Sequence, residues 1–143
     1  VDVRLTDRDA LLVREGVDVG RSRTGTYEAS LEVPVEGTVV SIDRGYATTT
    51  VSVGDLYVAV ATTHLESAST AVRLRQAREL LDVLPPDGPA VIAGDLNSGP
   101  GGSLAAHQLL TASLRDAHLP WCAMNIQSGV RHFVETRFIA SPT

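Results

Sequence analysis

The chain has 143 residues, 43% of them apolar and 20% charged, with a net charge of −5 and a pI near 5.2. That is enough sequence for one domain with a real core, too little for two, and too apolar for a disordered chain. The acidic balance argues against a broad electrostatic footprint for nucleic acid, but not against a site that holds one phosphate through a metal ion.

In chain order, Asp9-Ala10-Leu11-Leu12-Val13-Arg14 is a short apolar run with charged ends, which predicts a buried strand. Glycines and polar residues follow to about Thr24. Tyr27 to Val35, with Pro34 near its end, reads as an edge-like strand, and Thr38 to Ile42 as another. Tyr46 to Val53 alternates with β-branched residues, Gly54-Asp55 is a two-residue turn, and Leu56 to Thr63 returns. Glycine first in such a turn suits type II′ geometry, so these segments form a hairpin. Its second strand is apolar at nearly every position, as expected of a strand buried on both faces.

Ser67 to Leu84 has a helical period. Leu74, Ala77, Leu81 and Leu84 share one face, while Arg75/Glu79 and Arg78/Asp82 form i,i+4 pairs outside. Pro85-Pro86-Asp87-Gly88 stops the helix. Ala90 to Ala93 is a short buried strand, parallel to the second hairpin strand because a helix intervenes. Asp95 to Ser103 is a glycine-rich loop, Leu104 to Leu110 a short helix, and Val130 to Ile139 a further strand. No repeat or interdomain linker interrupts the chain.

Cys122 is alone, so no intramolecular disulfide forms and the redox compartment stays open. No apolar run approaches the ~20 residues of a membrane span, and Val1 to Arg4 lacks the regions of a signal peptide. A soluble chain of undetermined localisation is expected. All twelve basic residues are arginines, which compositional bias in the source explains as readily as function.

The βαβ unit places the chemistry. Ligands sit outside the carboxyl ends of parallel strands, where loops are free to be shaped. His64 follows one such end and Asp95 the other, on strands ~4.8 Å apart if adjacent. Ionised Asp95 accepts protons or helps hold a hard cation, Asn97 offers a carbonyl and an amide, and His64 is suited to donate to a phosphoryl oxygen. Each has a plainer reading. Asp-x-Asn after a strand is usually turn chemistry, and a lone histidine often just ends a strand; their joint placement is what favours a site. Glu66 reads as helix N-terminal chemistry, and Arg73, Arg75 and Arg78 as a solvated face. Gly99, Gly101 and Gly102 permit close backbone approach to a ligand without forming a phosphate loop. His107, His118 and His132 lack metal-ligand spacing and read as structural or surface.

Taken in order, Arg44-Gly45-Tyr46, Thr63-His64-Leu65-Glu66, Arg73 with Gln76-Ala77-Arg78-Glu79-Leu80-Leu81, and Gly94-Asp95-Leu96-Asn97-Ser98 resemble the endonuclease/exonuclease/phosphatase (DNase I-like) superfamily. Asp9 to Arg14 is similar to an earlier core strand of that group, and Leu114-Arg115-Asp116-Ala117 to a segment after its Gly-Asp-Asn loop. The resemblance covers roughly residues 8 to 118, and the ordered set is specific where no single piece is. It implies an α/β fold, part of a four-layer α/β sandwich with mixed sheets, and metal-dependent hydrolysis of a phosphodiester or phosphomonoester with Mg²⁺ (or Mn²⁺). The implied catalytic residues are Asp95, which activates the attacking water, Asn97, which orients it, and His64, which stabilises the phosphoryl group. Asp95 and Asn97 are also the implied metal ligands. A nucleic acid, a phospholipid or a small phosphorylated molecule all fit as substrate.

Members of that family carry an asparagine strand and a metal-binding glutamate early, and an Asp-His pair at the end. Residues 1 to 8 are too few for the former; no aspartate follows Asp116, and His132 has no acidic neighbour. Residues 1–119 are therefore read as a partial domain and 120–143 as a tail without family pattern, from a truncated gene product, a frame change near residue 120, or a decayed domain. The alternative to an enzyme is an inactive remnant that binds a ligand or a protein partner.

Overall fold

In the computed structural model residues 6–99, 102–116 and 136–139 are described, the last group by its backbone alone. The hairpin organises the rest. Its strands are β4 (Gly45–Val53) and β5 (Leu56–His64), paired antiparallel from Tyr46↔Thr63 to Val53↔Leu56. Gly54 closes the turn at φ +61 while Asp55 keeps a negative φ, the combination a type II′ turn requires. Preceding it are β1 (Arg23–Thr26), β2 (Leu31–Val35) and β3 (Thr38–Ile42). β1 joins the outer edge of β4, with Arg23 opposite Thr48. An isolated bridge, Val19↔Val51, continues that pairing. Four residues there span three on β4, so the edge carries a bulge, which bends a strand and increases its twist.

Helix α1 (Thr70–Val83) carries the chain across to β6 (Ala90–Asp95), which pairs parallel with β5. The Ser69 hydroxyl caps α1 by accepting from the Val72 amide. Leu84, extended at ψ 152 as a residue before proline must be, ends it. After β6 come α2 (Ala105–Thr111), the two-residue β7 (Arg115–Asp116) and β8 (Thr136–Ile139). The main sheet runs β1-β4-β5-β6-β8-β7, with β8 antiparallel to β6, while β2 and β3 form a separate ribbon.

One face of the sheet holds the core. Ala59, Ala61, Ala90 and Ile92 meet Ala77, Leu80 and Leu84 of α1 and Leu110 of α2. The small strand residues leave room for the helix leucines, each worth ~1.5–3 kcal/mol when fully buried. The opposite face, with Val58, Val60, Thr62, Val91 and Ala93, is only half-buried. β5 is thus fully covered on one face among the described residues, and its unbroken apolar character overstated its burial.

Three further expectations about these elements need correction. Asp9 to Arg14 is not a strand: it forms no strand pairing among the described residues, and Leu12 is 94% exposed. Apolar content alone does not make a strand. The buried face of α1 is Arg73, Gln76, Ala77 and Leu80, with Leu74 and Leu81 at its margins, so the burial stripe is rotated from the expected one. Glu79 turns away from Arg75 and accepts instead from the Glu28 and Ala29 amides at 2.7 and 3.1 Å. Strand Thr136–Ile139 agrees with the end of the expected Val130–Ile139 strand; residues 130–135, His118, Cys122 and His132 lie outside the described residues.

Gly94 sits at φ +154, where its backbone packs directly on that of Thr63, and a Cβ there would collide with the Thr63 carbonyl. Gly94→Ala is therefore expected to destabilise the chain by at least ~2–3 kcal/mol, from backbone strain alone. A urea midpoint lowered at unchanged slope is the check.

Candidate active site

The parallel register sets the site. His64 is the direct partner of Asp95, and the ladder continues one step further through the Leu65 amide, which donates to the Asp95 carbonyl at 2.9 Å. Side chains of paired residues share a sheet face, and His64 Nε2 stands 3.7 Å from Asp95 Oδ2. Both remain accessible, at 31% and 49% exposure. Asn97 lies beside them at φ +46, a left-handed conformation that asparagine tolerates better than most residues.

The turn reading of Asp95-Leu96-Asn97 is correct for half of the aspartate. Asp95 Oδ1 accepts from the Asn97 amide at 3.0 Å, and Asn97 Nδ2 donates to the Leu65 carbonyl at 2.8 Å. That leaves Asp95 Oδ2 turned to His64 and the Asn97 amide oxygen opposite its tethered nitrogen. One motif thus both shapes the turn and presents oxygen donors.

Behind these residues lies a buried polar layer. Arg73, expected on a solvated face, is 6% exposed and anchors the Asn97 loop. Its Nη1 donates to the Asn97 carbonyl, and its Nη2 reaches Ser67 O at 3.4 Å and Thr70 Oγ1 at 3.5 Å. Its position on the inner stripe of α1, one helical turn before Ala77, explains the burial. Glu66, expected in helix N-terminal chemistry, precedes the Ser69 cap and is only 2% exposed. Its Oε1 accepts from the Ala68 amide at 2.7 Å, its own amide donates to Gln76 Oε1 at 2.8 Å, and Gln76 Nε2 donates to Ala29 O at 2.8 Å. Tyr27 completes the layer through a 2.7 Å hydroxyl contact with Thr63, whose own hydroxyl donates to Gly45 O at 2.6 Å. Burial pushes the Tyr27 phenol well above its ordinary range.

Two residues beside His64 were not singled out as site residues by sequence reasoning. Arg44 Nη1 is 3.1 Å from His64 Nδ1 and pairs with Asp7 Oδ2, which is itself 3.3 Å from Nδ1. Arg44 had a signal: counting back from the Gly54-Asp55 turn places Gly45 opposite His64. Asp7 had none, because it arrives through irregular chain. His107 fits its structural reading, with Nε2 2.8 Å from Asp116 Oδ2 and its amide donating to Ser98 Oγ at 2.9 Å.

Mg²⁺ is held through one or two carboxylates, with water and substrate phosphate completing its shell. Asp95 and the Asn97 amide oxygen are donors of that type. Among the described residues, no group of three or more His, Cys, Asp or Glu side chains gathers to hold an ion. One carboxylate and one amide oxygen fit an ion that completes its shell with water and a phosphate.

Solved structures with this architecture place the fold. The human Nocturnin catalytic domain with bound sulfate is 15% identical with a TM-score of 0.58, covering 87% of this chain and 48% of its own. D. rerio TDP2 complexed with single-strand DNA product is 18% identical with a TM-score of 0.55, covering 89% and 54%. An endonuclease/exonuclease/phosphatase family protein from Bacteroides thetaiotaomicron is 13% identical with a TM-score of 0.54, covering 87% and 51%. The chain spans about half the length of each. The fold is the α/β, DNase I-like one, with mixed strands. No family model and no curated protein matches the sequence.

Two consequences of the geometry are measurable. Burial first, then the neighbouring Asp7, raises the Asp9 carboxyl above its usual range, against opposing effects of His64 and Arg44. A raised folded pKa gives stability that is present below the unfolded value of ~3.9 and lost as pH rises through the folded value. Asp9→Asn should therefore raise the urea midpoint at pH 7 and leave it nearly unchanged at about pH 3. Arg73→Met should cost roughly 2–4 kcal/mol, since it leaves buried carbonyls without their charged donor. Faster amide hydrogen exchange in residues 96–99 would accompany that loss.

Proposed function

We propose that this chain is a metal-dependent phosphoesterase of the endonuclease/exonuclease/phosphatase type, acting on a phosphodiester or phosphomonoester. The observation that carries the reading is the 3.7 Å approach of His64 Nε2 to Asp95 Oδ2 on paired strand ends, with Asn97 alongside. A tetrahedral phosphoryl group seated there meets an acceptor and a donor at once.

In this reading Asp95 Oδ2 takes the proton of an attacking water, which Asn97 orients. The water oxygen forms a bond to phosphorus, the ester P–O bond breaks, and the leaving oxygen takes a proton from solvent. His64 donates to a non-bridging oxygen as charge builds there. Asp95 and Asn97 would hold Mg²⁺ together with the substrate phosphate. When bound, the ion supplies charge neutralisation at the phosphoryl oxygens.

The fold supports this reading, since the structures that share it include an endonuclease/exonuclease/phosphatase family protein, one complexed with single-strand DNA product and one with bound sulfate, a tetrahedral oxyanion like phosphate. For this chain a single strand fits better than a duplex, because a net charge of −5 provides little general attraction to a densely charged helix. A phospholipid or a small phosphoester fits the same chemistry. The second reading, a binding module without turnover, is favoured by one observation: Asp95 is the one carboxylate in the proposed donor pair, and the described residues gather no group of three or more His, Cys, Asp or Glu side chains.

Bis(p-nitrophenyl) phosphate and p-nitrophenyl phosphate test both readings. Mg²⁺-dependent turnover is expected, abolished by chelation and lowered by about 10²-fold or more in folded Asp95→Ala and His64→Ala. Turnover indifferent to both substitutions would overturn the site. Binding of inorganic phosphate without turnover would select the binding module.

A further inference from the structure

We infer that Arg44 is a positioning residue that fixes the tautomer of His64, keeping Nδ1 as an acceptor and the proton on Nε2, the nitrogen that faces Asp95. The use of that proton rests on the phosphoesterase reading above; the tautomer itself does not.

The inference follows from counting hydrogens. A guanidinium does not lose its proton and cannot accept one, so every contact it makes through nitrogen is a donation. Arg44 Nη1 carries two hydrogens and meets two acceptor candidates, Asp7 Oδ2 and His64 Nδ1, the latter at 3.1 Å. One arrangement satisfies all of them: one hydrogen to the carboxylate, the other to an unprotonated Nδ1. Placing the imidazole proton on Nδ1 would set two donors against each other at 3.1 Å and leave one Nη1 hydrogen without an acceptor. A neutral ring with Nδ1 bare carries its hydrogen on Nε2, 3.7 Å from Asp95 Oδ2.

Asp7 alone would give the opposite result. Its Oδ2 is 3.3 Å from Nδ1, and an ionised carboxylate beside that nitrogen draws the proton to it. The tautomer is therefore a contest between two neighbours of one atom, decided by the cation because it occupies Asp7 at the same time. The guanidinium is held for this role from its other edge. Arg44 Nε lies 3.7 Å from Glu66 Oε2, and both atoms are buried with no hydrogen-bond partner. A single carboxylate in a low-dielectric pocket thus aims the fork without competing for its Nη1 hydrogens.

The chemical consequence is a division of labour. With the proton on Nε2, His64 reaches the substrate position as a donor and leaves proton abstraction to Asp95. With the proton on Nδ1, Nε2 would present a lone pair toward the carboxylate and toward the phosphoryl oxygen alike, and the donor would be lost.

A long-range ¹H–¹⁵N correlation spectrum of the full chain at about pH 8, where an ordinary imidazole is neutral, reads the tautomer directly. His64 is assigned by its disappearance in His64→Gln. The expected result is an unprotonated Nδ1 and a protonated Nε2 in the wild type, conversion to Nδ1–H in Arg44→Met, and no change in Asp7→Asn. Where turnover is measurable, Arg44→Met should lower kcat by on the order of 10²-fold with KM little changed. An Nδ1–H wild type, or a tautomer unmoved in folded Arg44→Met, would overturn the inference. If Arg44→Met does not fold, the wild-type and Asp7→Asn spectra decide it. A protonated Nε2 in a chain without turnover would instead leave the inference standing and remove the phosphoesterase reading.

Discussion

The register of β5 against β6 is the constraint on which the site depends. Pairing His64 with Asp95 puts both side chains on the same sheet face and at the same end of their strands. Because side chains alternate with a period of two, a slip of one residue would send one of them to the helix-covered face. The register is fixed by packing on that other face, where Ala61 partners Ile92 and Gly94 lies against Thr63. The residues that hold the strands in place and the candidate site residues are thus interleaved along the same two segments. Core packing below α1 determines, to within one residue, which side chains stand at that strand end.

A second dependence runs through polar groups. Thr63, Glu66, Arg73 and Gln76 are all at or below 6% exposure, in a place where an apolar layer would be the simpler solution. Net hydrogen-bond contributions of ~1 kcal/mol each do not make such a layer a strong source of stability, but any partner removed leaves a desolvated group costing ~1–3 kcal/mol. Its effect is therefore specificity of position. Gln76 ties the Leu65-Glu66 segment to Ala29, and Arg73 ties Asn97 to the start of α1. The three loops that meet at the site are fastened by side chains from one helix. Ser98 extends the same logic outward, since its hydroxyl accepts from the His107 amide and so binds the Asn97 loop to the first turn of α2.

What was legible in the sequence follows from how local each feature is. The β4–β5 hairpin, α1 and β6 were readable because their signals are a turn dipeptide, a 3.6-residue period and a proline stop, all within a few residues of their effects. The juxtaposition of His64 with Asp95 then followed from βαβ topology. The Glu36-Gly37 hairpin was seen only as two separate strands, since Glu36 at φ +45 is an uncommon choice for such a turn. Leu11-Leu12-Val13 misled because strand propensity reports fit to a pleated surface, and among the described residues no sheet edge receives the segment. Arg73 was misplaced for a related reason. Charge patterning assigns ionic residues to water by default, and only the orientation of α1 against the Asn97 loop shows that its main partner is a main-chain carbonyl in the interior.

The two arginines at the site also change the meaning of a composition that seemed mute. In a chain whose basic residues are all arginine, no single one stands out, and exposed Arg75 and Arg78 would lose little as lysines. Arg73 and Arg44 are different. Arg73 reaches three oxygens on the Asn97, Ser67 and Thr70 side of the loop through two separate nitrogens. Arg44 meets Asp7 and His64 on one nitrogen while facing Glu66 with another. Each task needs donors set at fixed angles on a rigid plane. An ammonium could supply the charge, but not simultaneous contacts on two edges with the stem held still. Arginine is therefore a geometric requirement at these two positions and a neutral choice elsewhere, a distinction that depends on the partners and not on the residue count.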